Sequence, residues 1–238
     1  MIGVVVPAHN EAEYIGETLV ALIEAAAHPR LGGEEVRIIV VMDDCRDGTA
    51  SVVDRLSIEA ISVTARNVGA ARARGAEFLI ARGARWLSFT DADTLVAPEW
   101  LVAQLDLKSD AVCGSIGVRD WGIHGARADS LRLQFSGTYT DTDGHRHIHG
   151  ANLGVCAVAY RRAGGFKPLA SGEDVDLVGA LKSSGARIAW SAAPRVWTSA
   201  RVDARARGGF GDAILAVMAI ELQGHKDLES EARCSDLA

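Results

Sequence analysis

Cysteine is scarce and scattered in this chain. The four residues, Cys45, Cys113, Cys156 and Cys234, form no CxxC pair. That excludes a disulfide framework and a structural zinc site as organising devices. Reduced thiols and a cytoplasmic location are the expectation. Aromatics are only 5% of the 238 residues, and the formal net charge is −6. With no global basic field, nucleic acid is not an expected partner. An anionic ligand has to be held locally, by a metal, arginines or helix N-termini. No apolar run approaches the ~18 residues that a membrane helix needs. The start, "MIGVVVPAHNEAEY", lacks the basic segment and the long apolar run of a signal peptide. A peripheral membrane contact and a homodimer both stay compatible with these features. A Walker A pattern is missing too, which argues against an NTPase. The only GxG, Gly209-Phe-Gly211, lacks a third glycine and a strand-to-helix turn, which argues against a dehydrogenase.

What is present is an ordinary globular composition, 48% hydrophobic and 24% charged. The expectation is a single domain over 1–238, with a nucleotide-binding half (1–106) and an acceptor-binding half (107–238). Ile2 to Pro7 reads as a strand. "AHNEAEYIGETLVALIEAAA" reads as an amphipathic helix, with Asn10 as candidate N-cap and Ile15, Leu19, Leu22 and Ile23 on one face. "VRIIVVMDD" is a second strand and "CRDGTASVVDRL" a turn and helix, with Asp47 or Thr49 available as cap. "AISVTA" is a third strand, and "RNVGAARARGAEFLIARG" a helix ending at Gly83. Such alternation predicts an α/β fold, a mostly parallel central sheet with helices on both faces. Farther on the pattern loosens. Residues 120–149 read as a polar, mobile segment. "ANLGVCAVAY" reads as a strand, "GEDVDLVGALKSSG" as a short helix, "ARIAWSAA" as a late strand, and "GGFGDAILAVMAIELQG" as a C-terminal helix.

The sharpest local signal is "WLSFTDADTLVAPEWL", residues 86–101. A buried apolar strand, Trp86 to Phe89, breaks on Asp91 and Asp93, and a helix start with Pro98 near its first turn follows. Ligands of parallel sheets bind beyond the carboxyl ends of the strands. Three of the four front strands deliver polar or acidic groups there, as "PAHNE", "DDCRDG" and "DAD". The plain alternatives are local: Asp93 or Thr94 capping the next helix, Asp47-Gly48 making only a turn, Glu11 favoured by a helix dipole.

"VVVPAHNEAEYI", "VMDDCRDGT", "ARNVGAARARG", "DADTLVAPEWL" and "GEDVDL" occur in the order seen in family 2 glycosyltransferases, and the chain resembles that family over 2–106 and again over 149–185. The resemblance implies a GT-A sandwich, a nucleoside-diphosphate-sugar donor (UDP- or GDP-linked), Mn²⁺ or Mg²⁺, and transfer to a hydroxyl acceptor of unknown identity, with inversion. It implies Asp93 as metal ligand with Asp91 beside it, and Asp174 as base assisted by Glu173. On the donor side it implies Pro7, Ala8, Glu11, Asp43 or Asp44, Asn67, Arg72, Asp91 and Ala92, with Gly69 letting backbone approach a ligand closely. "HGANLG" implies Gly150 and Asn152 on the acceptor side. The late metal-ligating His of many members is missing, and Arg201 and Arg205 are the expected substitutes against the diphosphate. His145, His147 and His149 alternate; a solvated loop explains them more simply than a zinc site. The rivals are a non-catalytic sugar-nucleotide-binding relative and a sugar-phosphate nucleotidyltransferase, the second disfavoured because no glycine-rich loop follows the first strand.

Overall fold

The computed structural model describes residues 1–201 of this chain. Strand and helix alternate over the first part: β1 (Ile2–Ala8), α1 (Ile15–Ala26), β2 (Val36–Asp43), α2 (Thr49–Arg55), β3 (Glu59–Val63), α3 (Val68–Ile80), β4 (Trp86–Phe89), β5 (Thr94–Val96) and α4 (Trp100–Asp106). Then come β6 (Ala111–Gly114), β7 (Gly117–Val118), α5 (Ala128–Thr138), β8 (Leu153–Cys156), α6 (Ala157–Arg162), α7 (Glu173–Ser183), β9 (Ile188–Ser191) and β10 (Val196–Thr198). None of the described helices is long and apolar enough to cross a membrane.

The chain divides into two compact units. Among the described residues, one comprises 1–118 with 141–199, and the other comprises 119–140 with 200–201. The first is built on a seven-stranded sheet of order β3-β2-β1-β4-β8-β6-β9. All neighbours are parallel except β8, which runs antiparallel to β4 and β6. A small second sheet, β5-β10-β7, stands beside it. β1 is buried along its length because both faces of the sheet are covered, which is why its sequence is a continuous apolar run rather than an alternation. Val5, Ile39, Val41, Leu87 and Phe89 pack with Ala71, Ala76 and Leu79 of α3, Tyr160 of α6 and Leu177, Val178 and Leu181 of α7. The intervening residues Val4, Val6 and Val40 point to the other face and are buried as well.

In the second unit, α5 carries Leu131, buried, and Phe135 one turn later. The Phe135 ring stacks on Tyr139 at 4.7 Å and lies 5.7 Å from Trp121. These aromatics explain why a segment that reads as polar and mobile contains a helix: the rings and one leucine supply the apolar anchor that composition alone hides.

Other local readings also differ. α1 starts at Ile15, and Asn10 is no cap: its backbone is left-handed (φ 55°) and its Oδ1 accepts from Arg46 N at 2.8 Å. Ile23 is exposed, while Thr18 and Ala25 join Ile15, Leu19 and Leu22 on the buried face. The "VCAVAY" stretch leaves its strand at Cys156, whose sulfur caps α6. β5 and β10 are too short to show a period in the sequence. The expected C-terminal helix lies outside the described residues.

Candidate active site

The chain runs outward from β1 through β2 to β3, then returns to place β4 on the other side of β1. The loops after β1 and β4 therefore diverge at a switch point, the place where open α/β sheets bind their ligands. Ala8, at the end of β1, and Ala92 are both buried; Pro7 is half-buried, paired in register with Val41. The Ala92 carbonyl accepts from Thr18 Oγ1 at 2.9 Å, which ties the Asp91–Asp93 turn to α1. Glu11 is buried, and its N–H donates to Thr49 Oγ1 at 2.8 Å. Asp47 accepts from Thr49 N at 3.0 Å and from Ala12 N at 3.1 Å, so it both starts α2 and holds the β1 loop.

At the end of β2 the two acids part. Asp43 is buried, and its two oxygens accept from the backbone N–H groups of Arg66 and Asn67, each at 2.8 Å. Asp44 turns outward with φ 50° and meets Arg66 Nε at 2.5 Å and Arg46 Nε at 3.2 Å. The Arg66 hydrogen bond, then that of Arg46, holds the Asp44 carboxyl below its ordinary range against some desolvation. Asn67 is the N-cap of α3: Oδ1 accepts from Ala70 N at 2.8 Å, and Nδ2 donates to the Leu169 carbonyl at 2.7 Å. A Cβ on Gly69 would collide with the Lys167 carbonyl oxygen. The close approach at Gly69 is thus to the chain's own backbone, in place of the expected ligand.

The densest cluster surrounds Arg72, which is 3% exposed on the inner face of α3. Nη2 donates to Asp91 Oδ1 at 2.5 Å, and Nη1 donates to Glu173. The guanidinium packs against Gly150, where an added Cβ would fall 2.5 Å from Cζ, and lies 5.6 Å from the Phe166 ring centre. Burial opposes its charge, but the carboxylates of Asp91, Glu173 and Asp174 outweigh burial, so its pKa lies above the ordinary value. Asp174 opens α7 beside Glu173. Its Oδ2 accepts from Gly150 N and its Oδ1 from Val175 N, both at 2.8 Å. Two main-chain donors therefore aim this carboxylate, and each oxygen keeps a second acceptor position.

Asp91 and Asp93 sit on a turn closed by Thr94 N to Asp91 O at 3.2 Å, and the Asp93 carbonyl accepts from Ser199 N at 3.2 Å. β5, not a helix, follows them, and Glu99 occupies the N-cap of α4, so helix capping does not explain these acids. Among the described residues no three His, Cys, Asp or Glu are grouped to hold a metal ion. The donor set instead fits a small hard cation shared with a substrate. Mg²⁺ and ions like it take one or two carboxylates plus phosphate oxygens and water, not an all-protein cage. Asp91 retains 36% side-chain exposure even while paired with Arg72. Asp91, Glu173 and Asp174 gather around Arg72, so added positive charge would favour a diphosphate beside them.

Asn152 is differently employed from the acceptor role expected of it. It is 1% exposed; Oδ1 accepts from Trp100 Nε1 at 2.9 Å, and Nδ2 donates to the Ser115 and Pro194 carbonyls at 2.7 and 2.8 Å. Both N–H groups are engaged inside the protein, where they tie β6 to the chain before β10. The three alternating histidines form neither a zinc site nor a solvated loop. Their rings stack in sequence at 5.5 and 5.9 Å, with His145 buried edge-on to Trp190. Burial, then His147 and His145, pushes the His149 pKa down to about 4, with Asp91 opposing. Arg201 is half-buried in the second unit, and Arg205 lies outside the described residues.

Sequence reasoning missed Phe166 and the buried state of Arg72. A signal for the second was present: Gly69, Arg72, Ala76 and Leu79 recur at helical spacing, which puts the arginine on the packed face.

Residues 3–163 match the family model described as "Glycosyl transferase family 2". No match to a curated protein sequence was found. Among solved structures, residues 1–349 of S. aureus TarS in complex with UDP-GlcNAc superpose with a TM-score of 0.65 at 17% identity, covering 92% of this chain and 66% of that one. The mannosyltransferase PcManGT from Pyrobaculum calidifontis, in complex with GDP-Man and Mn²⁺, gives a TM-score of 0.53 at 23% identity, covering 81% of this chain and 57% of that one. This chain thus spans less than two thirds of the length of either. The shared architecture is that of the GT-A glycosyltransferases.

Proposed function

The chain belongs to glycosyl transferase family 2, and on that premise we propose that it moves a sugar from a nucleoside-diphosphate sugar to an acceptor hydroxyl, with inversion and with a divalent cation. The observation that carries this reading is the meeting, at the switch point, of Asp91 from the β4 loop, Arg72 from α3 and Glu173-Asp174 from α7. Three distant segments converge on one carboxylate-rich rim, which a purely structural role does not require. The UDP-GlcNAc bound to TarS and the GDP-Man and Mn²⁺ bound to PcManGT support the same donor class and cation.

Asp93 and Asp91 would hold the cation through oxygen. When bound, Mn²⁺ or Mg²⁺ supplies charge neutralisation for the departing diphosphate. Pro7, Ala8, Glu11 and the Asp43–Asp44 edge line the path of base and ribose. Asp43 is committed to backbone, so Asp44, at the surface, is the acid we assign to the base. The acceptor hydroxyl approaches Asp174, whose carboxylate takes its proton as the oxygen attacks the anomeric carbon and the bond to the diphosphate breaks. Gly150 N–H and Val175 N–H keep that carboxylate aimed throughout. We place the protein in the cytoplasm, in keeping with the free thiols of Cys45, Cys113 and Cys156.

The test is a thermal-shift panel of UDP, GDP, UDP-GlcNAc and GDP-Man, with and without Mn²⁺, followed by donor hydrolysis. A Mn²⁺-dependent rise in midpoint with slow hydrolysis is expected, since a ligand of the native state stabilises it by mass action. Binding without any turnover supports the non-catalytic reading, and no binding at all refutes the nucleotide-sugar assignment.

A further inference from the structure

We propose that Arg72 is a positioning residue: its buried guanidinium locks the donor-side acid Asp91 and the base-bearing start of α7 into one fixed relation and touches neither base nor phosphate. The inference rests on the glycosyl-transfer reading and adds to it the part that joins the two halves of the site.

The geometry argues against a ligand contact. Arg72 is 3% exposed, one Nη is taken by Asp91 and the other by Glu173. Nε is buried and makes no hydrogen bond. Gly150 packs against the group, and the Phe166 ring centre lies 5.6 Å from Cζ. A substrate phosphate would have to displace a carboxylate from a planar fork that matches carboxylates well.

Asp174 is reached from two sides. Glu173, its chain neighbour, is held by Nη1. Gly150, whose N–H donates to Asp174 Oδ2 at 2.8 Å, lies on the guanidinium plane with no room for a Cβ. Glycine at 150 is therefore required by Arg72, and Arg72 sets where the Gly150 N–H points. The same guanidinium reaches Asp91, on the turn that would hold the metal. A shift of the guanidinium moves the base relative to the donor, and misplacement by about an ångström costs on the order of 10²-fold in rate. Glu173 changes role as well. Its carboxylate is engaged with Arg72, so it holds the base and does not orient the acceptor.

Two variants test this. Arg72→Lys keeps the buried charge paired but replaces the fork by a point donor. Arg72→Met combined with Glu173→Gln removes charge on both sides, so residue 173 leaves no unpaired buried carboxylate. Folding is followed by circular dichroism, donor Kd by calorimetry with UDP and GDP in Mn²⁺, and kcat with UDP-GlcNAc and GDP-Man. Donor Kd within about threefold of wild type and kcat lower by roughly 10²-fold are expected. Amide exchange at Gly150 and Val175 should quicken, because those N–H groups hold Asp174. A folded variant with wild-type kcat overturns the inference. So does a rise in Kd that accounts for the whole loss, which would return Arg72 to direct donor contact. Wild-type protein that turns over neither sugar nucleotide removes the functional reading instead. The tie is then judged by exchange alone: unchanged protection in Arg72→Lys overturns it, and faster exchange supports it.

Discussion

Two sets of acids close β2 and β4, the strands on either side of β1, and their surroundings separate them. At the end of β2, Asp43 is satisfied by two backbone N–H groups, and Asp44 is paired with arginines that lie in solvent. Beyond β4, Asp91 shares a fully buried arginine with Glu173, a residue 101 positions from that arginine. The first set braces a loop to its neighbour, a local role that main-chain donors fill readily. The second draws distant segments together around one desolvated charge, an arrangement that is costly to bury and that localises chemistry. The difference teaches that acid pairs at strand ends are not equivalent. What they are paired with, and how deeply, sorts brace from site.

The comparison is broken most directly at Asp174. Asp174→Asn keeps an oxygen for the Gly150 N–H, so the fold and donor affinity should survive while transfer falls by about 10²–10⁴-fold. Steady-state kinetics beside calorimetry with UDP or GDP checks this, and full activity would point to a retaining route. Next in size is Glu173→Ala, which strands part of a buried cation's pairing. It should destabilise the protein by about 3–5 kcal/mol, read by urea denaturation.

Acid sharpens the contrast in a third way. The His149 pKa is pushed down from 6.5 to about 4, so the unfolded chain takes up the proton more readily than the native one. Stability from this group is complete above pH ~6.5 and declines as pH falls toward ~4, a loss of roughly 1–3 kcal/mol. Denaturation midpoints at the two pH values should show the loss in wild type and a smaller one in His149→Gln. At the brace, Asp43→Ala leaves the Arg66 and Asn67 N–H groups without their acceptor and should cost about 1–3 kcal/mol. Asp44→Ala should lower the melting temperature less than Asp43→Ala, through an alanine at φ 50° and two ion pairs to exposed arginines, with its main effect on nucleotide affinity. A large stability loss at Asp44 would erase the distinction between an inward brace and an outward edge.

Much of this was legible beforehand, and the reasons are particular. β1, β2 and β4 are marked by apolar runs and α1 by helical spacing, and Leu177 and Leu181 mark α7 in the same way as α1. β5 and β10 have three residues each, too few for a period to register. "DAD" marked the rim through its position after a strand. Asn67 and Asn152 resemble ligand contacts in the sequence because an exposed amide and a buried, fully bonded one are the same letter. Only burial and partners, such as Trp100 on Asn152, tell them apart.

Residue order by itself determined the alternating α/β plan and the delivery of acids to the carboxyl ends of the strands. Those features depend on short-range periodicity and on where apolar runs stop. Only the tertiary structure decided that Arg72 holds Asp91 and Glu173 at once and that Gly150 lies against it. The reason is physical: a charge pairs through space at a few ångströms, and which carboxylates come that near is settled by how α3 and α7 pack on the sheet.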